Sequence, residues 1–147
     1  MKNQFIAISA LVFIASSPVQ GDTVIKIPSL AGKTPEQVLK ILGKPTKSET
    51  AKPSNTPCPC PKNIYNNGAV EIIYINGRAD WITINEIGNA SYSKDSLELL
   101  GLPVKDPTFS NATVKRWENI PGFNEVSIFP KNNGRDVDYI YIKAKTK

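Results

Sequence analysis

The residues with reactive side chains are few. Cys58-Pro59-Cys60 holds both cysteines of the 147-residue chain, and there is no histidine. Without imidazole, neither a Ser-His-Asp nor a Cys-His nucleophilic arrangement can be assembled, and the usual zinc ligand sets are lost. No glycine-rich phosphate loop and no paired-carboxylate motif stands in the chain. Asp136 and Asp138 flank Val137 and share one side of a strand, but two carboxylates supply too few oxygens for calcium and read as solvated charges. The expectation is a protein with no metal, no cofactor and no enzymatic activity. Two cysteines in an oxidising compartment are usually paired. A bridge inside Cys-Pro-Cys closes a very small ring and is open to reduction, so thiol exchange is one reading of Cys58 and Cys60. A loop staple, or a bond to a partner chain, is the other.

The address agrees with that compartment. Lys2, an apolar run over residues 5–15 and the small-residue end at Val19-Gln20-Gly21 make residues 1–21 a secretory signal peptide. An apolar run of about a dozen residues falls short of the roughly 20 that span a bilayer. Residues 22–147 are then expected as one exported α+β domain, periplasmic or secreted and not membrane-spanning. The formal charge of +5 is spread along the chain without a basic stripe, which makes nucleic acid a poor partner. A mild attraction to anionic surfaces such as peptidoglycan remains.

The elements that position these residues begin with a strand candidate at 23–27, stopped by Pro28. Thr34-Pro35-Glu36-Gln37 opens a helix with a cap, proline at the first helical position and a capping-box glutamine. Val38, Ile41 and Leu42 share its apolar face, and Gly43 with Pro45 ends it. Residues 46–68 read as a long polar connection. Residues 69–87 form a hairpin around Asn76-Gly77. A three-residue loop, Asn76 to Arg78, sets Ile72 beside Ile82 and Ile73 beside Trp81, whereas a two-residue loop would bring Asp80 to Ile73 and Ile75. A second short helix starts near Ser93 and stops at Gly101. Strands are expected at 113–117, 125–129 and 137–142, with turns at Pro121-Gly122 and Asn133-Gly134. The fold class is α+β: an antiparallel sheet with two short helices on one side. Leu-Lys-Ile-Leu-Gly-Lys-Pro (39–45) aligns with Leu-Glu-Leu-Leu-Gly-Leu-Pro (97–103), which raises a tandem helix-plus-meander repeat, 23–88 and 89–147, although two ordinary helix stops would look the same.

The stretch 32–45, Gly-Lys-Thr-Pro-Glu-Gln-Val-Leu-Lys-Ile-Leu-Gly-Lys-Pro, resembles the SmpA/OmlA-type lipoprotein of the outer-membrane β-barrel assembly machine. That resemblance implies a helix followed by an antiparallel sheet and a role in envelope assembly, although the lipid-attachment cysteine of that family is missing. Two such units in tandem resemble the secreted β-lactamase inhibitor proteins, which present an aromatic sheet face to an enzyme. Residues 27–39 also resemble the opening of a PASTA domain, a cell-wall-binding module.

Two helices of about ten residues cover little of a five- or six-stranded sheet. The uncovered part is then a recognition surface, for which Trp81, Ile73, Trp117, Tyr139 and Tyr141 are the candidate residues. The expected function is an exported, non-enzymatic protein of the bacterial envelope that recognises a protein partner through its sheet, either an assembly component or an enzyme to be inhibited. A peptidoglycan-binding module and a thiol-active envelope protein are the alternatives.

Overall fold

The fully buried apolar residues of the central strands recur at alternate positions and turn toward one side of a single antiparallel sheet. The structure, a computed structural model, describes residues 25–146. The signal peptide expected at 1–21, and Thr23 and Val24 of the first strand candidate, lie outside the described residues. The elements are α1 (Pro35–Leu42), β1 (Lys47–Ala51), β2 (Cys60–Tyr65), β3 (Val70–Ile75), β4 (Arg78–Ile84), α2 (Ser96–Leu99), β5 (Phe109–Ser110), β6 (Lys115–Trp117), β7 (Phe123–Pro130) and β8 (Val137–Ala144). The strands stand in the order β1-β2-β3-β4-β8-β7-β6-β5. Two four-stranded meanders therefore meet where β4 pairs with β8.

The core lies on one face. Ile72, Ile82, Ile84, Val126, Ile128, Ile140 and Ile142 form a continuous buried cluster with Val38 of α1 and Leu97 of α2. Both helices thus pack on the same side, and the class is α+β as read from the residues. α1 starts as expected, with Thr34 accepting from the Gln37 amide and the Gln37 side chain accepting from the Thr34 amide. Its buried face is narrower than expected. Val38 is fully buried, but Ile41 is 48% exposed, because only one stripe of so short a helix reaches the sheet.

Three expectations about the chain path are corrected, and one strand is new. Residues 25–26 form no strand, and Ile27–Ser29 is a single 3-10 turn. The polar connection 46–68 contains two strands, β1 and β2. β1 reads Lys-Ser-Glu-Thr-Ala and has no apolar alternation because it is an edge strand with little to bury. α2 starts at Ser96, not near Ser93, and spans one turn. β5, two residues long, carried no pattern to read.

The central hairpin keeps the expected register by a different route. Ile72 pairs with Ile82 and Ile73 with Trp81, yet Ile75 pairs with Arg78, so the loop is the two residues Asn76 and Gly77. Both have positive φ, 51° and 72°, the pattern of the hairpin turn that matches strand twist. A bulge after Ile73 absorbs the difference, and Asp80 is its extra residue. The Asp80 carboxylate is only 3% exposed. It accepts hydrogen bonds from the Lys143 ammonium and the Thr146 hydroxyl.

Trp117 belongs to the core and not to a recognition surface. It is 0% exposed, and its indole N–H donates to the Lys105 carbonyl at 2.9 Å. In β6 the neighbouring Arg116 takes the opposite face, where it pairs with Ser127. Trp117→Ala should therefore lower unfolding stability by about 3–5 kcal/mol, read as a fall in the urea midpoint. Arg116→Ala should change it by about 1 kcal/mol or less, as expected for a half-exposed ion pair.

Candidate functional site

The face of the sheet opposite the helices is assembled by register alone. Ile73 lies beside Trp81, Trp81 beside Lys143, Thr83 beside Tyr141, and Tyr141 beside Ser127. Phe129 pairs with Tyr139, Arg116 with Ser127 and Phe109 with Arg116. A band of Ile73, Trp81, Tyr141, Tyr139, Phe129 and Phe109 thus crosses the sheet. All but Phe109 are half-buried, and Phe109 is 50% exposed. Trp81 meets Tyr141 edge to face at 5.4 Å, and Phe129 stacks on Tyr139 at 4.5 Å. Such pairs hold the rings in fixed orientations.

Charges border the band and are paired among themselves. Lys62 bridges Glu49 at 3.3 Å and Glu71 at 2.5 Å, and Lys47 reaches Glu49 at 2.7 Å. On the other side Arg116 contacts Glu125 at 3.3 Å. The hydrogen bond to Glu71 holds the Lys62 ammonium above its usual range, while burial pulls Lys143 below it. Lys143 also sits 5.4 Å from the Trp81 ring centre, within cation–π reach. At one end of the band Cys58 and Cys60 form a disulfide, and the bridge packs with Ile75, Ile73 and Trp81 in a cluster separate from the main core. The indole N–H of Trp81 is buried without an acceptor.

Four of the five expected surface residues, Trp81, Ile73, Tyr139 and Tyr141, therefore share one face, and Trp117 does not. Phe129 and Phe109 were not foreseen. Phe129 follows Glu125 and Ser127 on alternate positions of β7, a parity that puts the three on one side of the strand, and the register with β8 sets it beside Tyr139. Phe109 lies on a strand too short to show parity. Asp80 depends on the bulge, for which no sequence signal stood out. Elsewhere, a groove of about 600 Å³ lies on the helix side between α1 and residues 86–88, lined mainly by Ile25, Leu30, Ile41, Leu42, Ala69 and Ile87. Lys26, Ser29 and Glu86 also line it. Among the described residues no three His, Cys, Asp or Glu side chains converge as a metal site, and no helix is long and apolar enough to cross a membrane.

No family model matches this chain, and no curated protein does. Among solved structures, an extracellular protein containing a SCP domain from Bacillus anthracis is similar, with a TM-score of 0.57 at 12% identity over 91% of this chain and 50% of that one. The chain thus spans about half the length of that protein. At this identity the likeness is one of fold.

Burial, with a smaller effect of the Glu125 carboxylate, pushes the Tyr141 hydroxyl up to about 12. The free phenol titrates near 10. The folded state therefore retains a proton that the unfolded chain loses, so this group's stabilising contribution is complete below about pH 10 and declines as pH rises toward 12. A phenolate-absorbance titration should contain a component with its midpoint at about 12, which Tyr141→Phe removes. A Tyr141 component at the ordinary value of about 10 would mean a hydroxyl surrounded by bulk solvent.

Proposed function

We propose that this chain is an exported, non-enzymatic binding protein of the cell envelope that recognises a protein partner through the open face of its sheet. The observation that carries this reading is the band from Ile73 to Phe109, half-exposed rings set on paired strands while both helices occupy the other side. Rigid aromatic side chains over a partly apolar surface are what protein hot spots use. The bordering charges favour a protein over an anionic wall polymer. Lys62, Arg116 and Lys143 already have carboxylate partners, so the face offers little free positive charge, and a partner contributes aliphatic or aromatic side chains instead.

The strand order supports reading the two meanders as tandem units of the kind the β-lactamase inhibitor resemblance implies. In that reading each half begins with a helix that ends in a positive-φ glycine, Gly43 and Gly101. Export is supported by residues 1–21 of the sequence and by the extracellular description of the structurally similar protein.

A photo-crosslinking residue at Tyr139, introduced into the protein in its native envelope, should trap a specific protein, and the same residue at Leu39 on the helix side should not. Trp81→Ala and Tyr141→Ala should each weaken that complex about 30-fold, the effect of losing a hot-spot residue. Equal trapping from Leu39 would overturn the assignment of the face. Sedimentation with insoluble peptidoglycan that survives Trp81→Ala would favour wall binding instead.

A further inference from the structure

The Cys58–Cys60 bridge spans a sequence separation of 2. Stabilisation by a cross-link grows with the length of chain it closes, so this one does little to hold distant parts of the fold together. What it fixes is the short stretch 58–60 that leads into β2. That stretch lies on the open face, where Cys58 and Cys60 are 6% and 7% exposed and cover Ile75, beside Ile73 and Trp81. The connection that leads into it, residues 52–59, contains Pro53, Pro57 and Pro59 and adds no strand of its own to the sheet. The Trp81 indole N–H is buried without a protein acceptor, so water or a partner's carbonyl could satisfy it where it becomes accessible. The bridge is the covalent element of the cluster that packs against Trp81.

We propose that the Cys58–Cys60 disulfide is a thiol-exchange site whose oxidation state sets how much of the Trp81 end of the open face is available to a partner. Its biological use rests on the binding-face reading above; the chemical step does not. A thiolate of a dithiol reductant attacks one of the two sulfurs, breaking the Cys58–Cys60 bond and forming a mixed disulfide. The second thiolate of the reductant then displaces the remaining protein sulfur. The reductant leaves as a disulfide, having given up two electrons, and Cys58 and Cys60 gain those two electrons and take up two protons as thiols. Freed from each other, residues 58–60 no longer pin Ile75, and the Trp81 indole gains solvent.

The experiment uses dithiothreitol as the dithiol and acrylamide quenching of indole fluorescence on the exported chain. Trp81 and Trp117 are its two tryptophans, and Trp117, fully buried, serves as the internal reference for an intact core. Trp81→Phe assigns the quenchable component. Reduction should titrate as two new thiols per chain, with a roughly twofold rise in the Trp81 quenching constant, local opening without global unfolding, and reversal on reoxidation. Cys58→Ser/Cys60→Ser should show the open quenching value without reductant, while its urea midpoint stays near that of the wild type. A bridge that dithiothreitol cannot reduce in the folded chain would overturn the proposal. So would reduction that leaves Trp81 quenching unchanged, or a collapse of the urea midpoint, which would make the bridge a staple. None of these readouts involves a partner, so failure of crosslinking from Tyr139 and failure of this proposal are separate results.

Discussion

The pairing of β4 with β8 is the contact on which both faces of this protein depend. Each four-stranded meander could form from its own turns, but only this seam makes one sheet of the two. Its register sets Ile82 against Ile142 and Ile84 against Ile140 on the core side. The intervening pairs, Trp81 with Lys143 and Thr83 with Tyr141, fall on the open side. A slip of one residue would exchange the two sets and bury Lys143 where isoleucine belongs. The fully buried isoleucines make such a slip prohibitive, since each forfeits on the order of 2 kcal/mol or more of apolar burial. The arrangement of Trp81 and Tyr141 is thus a consequence of packing on the face they do not occupy.

The Asp80 bulge sharpens that seam. A buried carboxylate without partners would cost several kcal/mol, and here both oxygens are met, one by Lys143 of β8 and the other by Thr146 beyond it. The extra residue in β4 therefore links the first meander to the last strand by a charged contact next to the Trp81–Lys143 pair. It also reconciles a two-residue turn at Asn76-Gly77 with the register that the apolar face demands. Turn chemistry and face burial each impose a requirement, and the bulge lets both be met in one hairpin.

Much of the sheet was legible because alternation and turns point to the same places. Asn76-Gly77, the runs at 70–75 and 78–84, and the tyrosine–isoleucine alternation of β8 all carry period-two patterning between turn residues. Parity, however, says only which residues share a side, not which side is covered. Trp117 shares a parity with Lys115, and nothing local distinguishes an indole that donates to Lys105 inside the core from one on the surface. β1 escaped notice for the opposite reason, since a polar edge strand has no apolar pattern to display. The helix face was overestimated at Ile41 because periodicity cannot measure how far a helix of eight residues reaches over a sheet.

The two faces differ in kind as well as in exposure. On the core side, polar groups are few and locally satisfied, as where the hydroxyls of Tyr65 and Tyr74 meet at 2.7 Å, and burial pushes the Tyr74 phenol upward. The open side instead carries its charges in pairs and leaves ring surface between them. Charges that have already found partners neither repel an apolar approach nor attract ions indiscriminately, and their net worth to stability is small. In the proposed binding reading their effect is larger, because they would confine apolar contact to the band from Ile73 to Phe109. Among the pieces of that band, only the Ile75–Trp81 end carries a covalent closure and an unmet donor. The physical asymmetry of the band therefore lies at its Trp81 end, where a bridge closing a very short loop packs against Ile75, Ile73 and Trp81.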